Sequence, residues 1–235
     1  MTQAVEAIVQ ENLPPQEGAE ETPVPQPDGV LETKDESGQV TQRLTFKAGI
    51  LQGPAEIFTE DGSLSQKMYF RDNQLDGRCE SFDDKGELTQ CLTFLQGKLE
   101  GISQYYAKGK LTATIPYKAG KQDGEAIFYA PNGKPSGRMN YSQGELHGSF
   151  QTYNPETGNL LTKVSYKNNI LDGHSELYYP SGVVMEKKFY VQDKLVGRAI
   201  EYFETGEVKK ITHYEDGEAI GPPVEFDEKG KVVSG

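Results

Sequence analysis

Residues 190–208 read YVQDKLVGRAIEYFETGEV. Two glycines, Gly197 and Gly206, punctuate this stretch, with eight residues between them. That interval is too short for a pair of helices and fits one strand followed by a turn. Tyr202 stands five residues after the first glycine, and Tyr214 eight residues after the second. Working outward, the same arrangement recurs along the chain. One glycine series runs Gly53, Gly77, Gly101, Gly124, Gly148, Gly173, Gly197, Gly221, at steps of 23–25 residues. A second series interleaves with it: Gly38, Gly62, Gly86, Gly109, Gly133, Gly158, Gly182, Gly206, Gly230.

Aromatic residues keep this register. Five places after each first-series glycine lie Phe58, Phe82, Tyr106, Tyr129, Tyr153, Tyr178, Tyr202 and Phe226. Eight places after the second-series glycines, up to the truncated last repeat, lie Phe46, Phe70, Phe94, Tyr117, Tyr141, Tyr166, Tyr190 and Tyr214. A fixed period with two turn signals per repeat is the signature of a tandem array. The second strand of each repeat alternates with period two: Leu64, Met68 and Phe70 share a face, as do Leu88, Leu92 and Phe94. Turns such as Glu60-Asp61-Gly62 and Pro131-Asn132-Gly133 place glycine where a positive φ is required. On the first strand, Ala55, Cys79, Ala126 and Ala199 fall out of phase with the fixed aromatic, which a bulge would explain. The expected fold is all-β: about eight tandem β-hairpin repeats over residues 37–235.

Composition agrees with a thin sheet. Apolar residues make up 35% of the 235, while there are 26 glycines and 23 Tyr and Phe together. The formal net charge is −12, and residues 1–36 hold nine acids against one base, Lys34. This tail also carries Pro14, Pro15, Pro23, Pro25 and Pro27, and is expected to be disordered. Ala4, Val5, Ile8, Val9 and Leu13 fall at helical spacing, as a short docking helix or a frayed terminus would have them. A negative chain repels nucleic acid and anionic lipid, and a basic protein partner fits it better. No stretch approaches the ~18 apolar residues of a membrane span, and the start lacks the pattern of a signal peptide. The expectation is a cytoplasmic, monomeric protein.

Chemistry-bearing motifs are absent from the sequence. His147, His174 and His213 follow no metal-ligand spacing, and Cys79 and Cys91 are twelve apart. If Phe82 pairs with Leu88, Cys79 faces Cys91; the two would form a disulfide or, as expected in a cytosolic protein, fill the core as thiols. There is no phosphate-binding loop and no nucleophile elbow. No enzymatic activity, cofactor or metal is expected.

Tyr190 to Gly197, then Tyr202, then Thr205-Gly206-Glu207-Val208 resemble the MORN-variant repeat of YwqK-family antitoxin-like proteins. The resemblance covers about residues 37–235. Gln122 and Ala219 depart from its usual Leu two places before the glycine, and Pro135 from its Leu or Val after the turn. It implies a single-layer antiparallel sheet of successive hairpins, and an antitoxin or immunity role. Sixteen or so strands in one meander should curl.

Where two aromatics are adjacent, one must face away from its neighbour. Tyr105 with Phe128, and Tyr179 with Phe203, are therefore expected to form short aromatic rows suited to a protein interface. Asp76, Glu100, Asp123 and Asp172 precede anchor glycines; they read as turn chemistry, or as an acidic stripe facing a basic partner. The function expected is neutralisation of a cognate basic toxin, such as a nuclease effector delivered by a type VI-like system. The alternative is a structural scaffold for protein or envelope association.

Overall fold

The computed structural model describes residues 28–235. The expectations for residues 1–27, including the apolar stripe, lie outside the described residues. The described residues contain no helix and form an antiparallel sheet of 23 strand segments. Two compact units divide the chain. The first comprises the residues through Leu88 with Thr93–Lys98; the second comprises Thr89–Leu92 and Leu99–Gly235.

In the first unit, the strands Gly29–Lys34, Val40–Lys47, Ile50–Phe58, Leu64–Arg71 and Gly77–Phe82 pair in sequence order. Cross-strand neighbours build its core: Leu44 faces Ala55, Ala55 faces Met68, Phe46 faces Leu51 and Phe70 faces Leu75. All of these are buried, Ala55 and Met68 completely. In the second unit, hairpin follows hairpin from Gly101–Ala107 to Val232–Ser234. Cys79 and Cys91 are both buried.

The array starts earlier than composition suggested. Strand Gly29–Lys34 lies inside the stretch assigned to the acidic tail, yet it pairs with Val40–Lys47 from Gly29–Phe46 onward. Gly29 stands 24 residues before Gly53, and the Gly53–Phe70 pair repeats the Gly29–Phe46 pair. Among the described residues there are thus nine hairpins. The acids around Gly29 mask a glycine that keeps the period.

Only the second glycine series lies in turns; first-series glycines such as Gly53 and Gly173 sit within strands at positive φ, opposite Phe70 and Tyr190. At one end of the hairpins, two-residue turns such as Ala48-Gly49, Asp72-Asn73 and Gln192-Asp193 hold both central residues at positive φ. This is the geometry that matches strand twist in a tight hairpin. At the other end, turns such as Thr59–Ser63 close with a glycine amide reaching back three residues: Gly62 N–H donates to the Thr59 carbonyl at 2.9 Å.

Between hairpins the register shifts at the first-series glycine, since Phe46 faces Leu51 but Leu44 faces Ala55; within each hairpin it shifts on the second strand. Ile57 pairs with Gln66 but Phe58 pairs with Leu64, so Ser65 is the extra residue. The same shift precedes Tyr129, Tyr153, Tyr178, Tyr202 and Phe226. The first strand runs unbroken from Ala55 to Phe58, which puts these two on opposite faces. Arg43 shows this directly: it bonds Glu56 at 2.8 Å and lies 5.4 Å from the Phe58 ring centroid. The two aromatic series therefore occupy opposite faces, and neither face carries all of them. Leu64, opposite Phe58, does not share a face with Met68. Apolar residues face the aromatics in Phe58–Leu64, Tyr178–Val184, Phe46–Leu51 and Tyr190–Leu195. Gln122, Ala219 and Pro135, the departures from the repeat pattern, face Tyr117, Tyr214 and Tyr129.

Gly173 holds φ at 113°, and a Cβ there would lie 3.0 Å from the Ser165 Cβ. Gly221 sits at φ 74° in open space. Gly173→Ala should cost about 1–3 kcal/mol, and Gly221→Ala distinctly less. Urea denaturation of both variants tests this; equal losses would contradict the packing argument.

Candidate functional site

On the second unit, cross-strand pairing lines one face with a continuous row. It runs from Tyr105 through Ala113, Phe128 and Gly137 to Thr152 and Thr162. From there it continues through Leu177, Glu186, Glu201 and Lys210 to Glu225. Neighbours in such a row stand about 4.5–5.5 Å apart. The row is aromatic at one end and acidic at the other.

The aromatic end is built on small residues. Ala113 is buried and separates Tyr105 from Phe128. Gly137, itself buried, faces Phe128, and a Cβ there would meet the Gln151 carbonyl oxygen at 3.5 Å and Phe128 at 4.0 Å. Tyr105 and Phe128 are thus on one face and in one row, both half-buried. The Tyr105 phenol is pushed up by burial and by its hydrogen bond with Tyr117. Tyr117 belongs to the second aromatic series, which continues on this face through Tyr141, Tyr166, Tyr190 and Tyr214. Phe150 meets Tyr166 edge-on at 6.3 Å, and Tyr141 Oη lies 3.5 Å from Met139 Sδ. In the first unit, Phe46 and Phe70 at the same register are buried; these five tyrosines stay half-exposed.

The acidic end sets Glu186 directly opposite Glu201. Like charges in this position repel. Lys188 bonds Glu186 at 2.7 Å, and Lys210 approaches Glu201 at 3.6 Å. Both carboxylates border a cavity of about 180 Å³ together with Tyr179, Tyr202 and Lys209. Tyr179 donates its hydroxyl to the Tyr202 carbonyl at 2.8 Å. Lys209, the bulged residue, lies 5.9 Å from the Phe203 ring centroid. Tyr179 and Phe203 follow the ends of their strands, in the turns, and join this acidic end.

The acids before the anchor glycines have a different occupation. Asp76 accepts from the Gln96 amide at 3.3 Å, Glu100 from the Ala119 amide at 2.8 Å, and Asp123 from the Gln143 amide at 3.2 Å. In each case the donor is the first residue of the next two-residue turn, held at positive φ. Asp28 does the same for Ala48. These carboxylates clip one repeat to the following one. Asp172 is half-buried at the equivalent place. At that place in another repeat, His147 Nδ1 lies 3.0 Å from Asn168 Oδ1. Among the described residues, no group of three or more His, Cys, Asp or Glu is placed to hold a metal ion.

Sequence reasoning missed Glu186, Glu201, Glu225, Tyr117 and Tyr141 as site residues. Their common signal is a constant offset from the preceding glycine: four places for the first three, eight for the tyrosines.

The sequence pattern of the MORN repeat variant family matches residues 122–143, 171–192 and 195–216. Each window opens on the residue facing a second-series aromatic and closes on the first residue of the next two-residue turn. Hairpin repeats of this kind serve as scaffolds for protein interaction and are typically non-catalytic. No curated protein matches the chain. Among solved structures, the Glycosylation Associate Protein (Gap123) complex from Streptococcus agalactiae is 23% identical, over 55% of this chain and 24% of that one, with a TM-score of 0.29. A TarM mutant from S. aureus, in complex with fondaparinux, alpha-GlcNAc-glycerol and UDP, is 8% identical over 71% and 24%, with a TM-score of 0.25. TcdB2-TccC3-TEV is 12% identical over 85% and 12%, with a TM-score of 0.24. The chain spans a quarter or less of the length of these structures, and at such scores the likeness carries no argument.

Asp123→Ala should leave the Gln143 amide without its carboxylate, a loss of about 0.5–1.5 kcal/mol, read as faster hydrogen exchange at Gln143. Unchanged exchange there would dismiss the clip. On the opposite face, burial and the hydrogen bond to Glu176 (2.5 Å) push the Tyr178 phenol up to about 12. A raised phenol stabilises the fold fully below about pH 10, where the unfolded chain ionises. That contribution is lost as pH rises through about 12. Tyrosinate absorbance should show this late step, and Tyr178→Phe should remove it.

Proposed function

We propose that the chain is a non-enzymatic, protein-binding repeat scaffold whose aromatic-to-acidic row seats a basic partner. The observation that carries this reading is the Glu186–Glu201 pair, set beside Tyr179 and Tyr202 at the end of a row that begins with Tyr105 and Phe128. A sheet that places like charges opposite one another bears a local cost, and such conflicts cluster where function requires them. Lys188 and Lys210 offset it within the chain; an incoming lysine or arginine would exchange with them, and half-buried tyrosines are efficient interface anchors.

The finer reading is an antitoxin or immunity protein acting as a monomer in the cytoplasm, where it neutralises a cognate basic toxin. A nuclease fits that role, because an inhibitor presenting carboxylates competes with phosphate and speeds association. The net charge of −12 supports it, as does the resemblance to antitoxin-like repeats.

The test is capture from lysate of the native organism, elution by a salt step, and mass spectrometry. The expected product is one basic, stoichiometric protein whose toxicity is quenched by co-expression. Glu186→Lys combined with Glu201→Lys should slow its association about tenfold at low salt. Recovery of the chain alone, or of envelope components, would overturn the antitoxin reading in favour of a structural scaffold.

A further inference from the structure

On the face that carries Glu186 and Glu201, the tyrosines of the second aromatic series form a row of their own within the second unit. Gly124 faces Tyr141, which faces Leu146; Gly148 faces Tyr166, which faces Leu171; Gly173 faces Tyr190, which faces Leu195. Tyr117 precedes them and Tyr214 follows at the same register. From Tyr141 onward, the strand between two tyrosines offers a leucine and then a glycine, and the glycine has no side chain to cover the ring it faces. All five tyrosines are half-exposed. Among the described residues, the hydroxyls of Tyr166, Tyr190 and Tyr214 make no hydrogen bond, whereas those of Tyr153, Tyr178 and Tyr179 do.

Successive tyrosines stand two strands apart, about 9.5 Å across the sheet. Along the strands they slip little, because the shift at each glycine absorbs the offset. Val164 faces Ser175 and Tyr166 faces Leu171, so a step of two residues stands opposite a step of four. The row therefore repeats at about 10 Å. A polyproline II helix turns once every three residues and rises ~3.1 Å per residue, about 9.3 Å per turn. Laid across the strands, it brings one edge over each tyrosine in succession. Such a helix has no internal hydrogen bonds, so its carbonyls can accept from the Tyr166, Tyr190 and Tyr214 hydroxyls. An α-helix satisfies its own carbonyls and would leave those hydroxyls without partners. Charge is complementary to a basic segment: Glu186, Glu201 and Glu225 share this face with Lys188 and Lys210. Glu186 lies four residues from Tyr190 on the same strand, roughly 13 Å away. We infer that the five tyrosines seat a proline-rich segment in the polyproline II conformation, with lysine or arginine on the edge nearer Glu186 and Glu201. The inference rests on the protein-binding reading and names the chemistry of the partner.

Fluorescence anisotropy of the full chain with labelled synthetic peptides of about 15 residues, long enough to cross all five tyrosines, tests it. A peptide repeating Pro-Pro-Lys should bind at least about tenfold tighter than a Gly-Ser-Lys repeat of the same length and charge, which must first be ordered. Tyr190→Ala combined with Tyr214→Ala should weaken the proline peptide about tenfold. Tyr190→Phe, which removes a hydroxyl alone, should weaken it about threefold, with urea denaturation unchanged. Equal binding of the Gly-Ser-Lys repeat, or of a helical alanine-rich peptide of the same charge, would overturn the inference and leave the basic-partner reading in place. So would an affinity for the Pro-Pro-Lys repeat that neither tyrosine variant moves. Equal binding of Pro-Pro-Glu and Pro-Pro-Lys repeats would overturn the basic-partner reading itself, and with it the lysine edge.

Discussion

From the Asp72-Asn73 turn onward, the backbone amide of the second residue in each two-residue turn donates to a strand carbonyl in the preceding repeat, and the rest of the array depends on this bond. Asn73 donates to Leu51, Gly97 to Leu75, Gly144 to Gln122, Asn169 to Leu146, Asp193 to Leu171 and Gly217 to Leu195, all at 2.8–3.1 Å. Where that residue is Asn or Asp, its side chain also accepts the amide of the same leucine, at 2.7–2.8 Å. One pair of residues thereby closes two bonds across a repeat boundary. A sheet of this kind has little interior: among the described residues, those buried are 14 core hydrophobics, Ser103 and Gly137. Each repeat is held by its neighbours, and stability is close to a nearest-neighbour sum. The carboxylate clips at Asp76, Glu100 and Asp123 reinforce the same boundary.

Fixing the boundary in the backbone leaves the faces free to differ. In the first unit, one face is filled by Leu44, Met68, Phe46 and Phe70. In the second, the corresponding rows give way to half-exposed tyrosines, then to Glu186, Glu201 and Lys210. The cross-strand ladder on the other face alternates charge in the first unit, where Arg43 bonds both Glu32 and Glu56. In the second unit it runs Arg138, Gln151, Lys163, Glu176 and Lys187. Polarity thus changes along the rows while strand pairing does not, which is how one scaffold can present two unlike surfaces.

The fold was legible because glycine and aromatic spacing are local. Two glycines per period and aromatics at fixed offsets define a hairpin without any long-range information. What could not be read was set by partners a whole repeat away. Asp123 looks like turn chemistry beside Gly124, but its acceptor role concerns Gln143, twenty residues on. The phase conflict between Ala55 and Phe58 was visible, whereas the extra residue, Ser65, lay on the facing strand. Tyr105 and Phe128 could be placed in one row from their common offset. Tyr179 and Phe203 share an offset too, yet they fall beyond their strand ends, where alternation no longer predicts direction.

The two ends of the hairpins differ in how they treat chain length. From aromatic to apolar partner, the two-residue turns always take five steps, as in Phe46 to Leu51, Tyr141 to Leu146 and Tyr214 to Ala219. At the other end the count is five from Tyr106 to Leu111, six from Phe58 to Leu64 and seven from Tyr153 to Leu160. All variation in period is absorbed there, because those turns carry no amide on which the preceding repeat's strand depends. Foreign loops grafted at that margin, at Thr157 or Ser181 for example, should leave the pairing of every hairpin intact. The same insertion between Asn168 and Asn169 would sever the array.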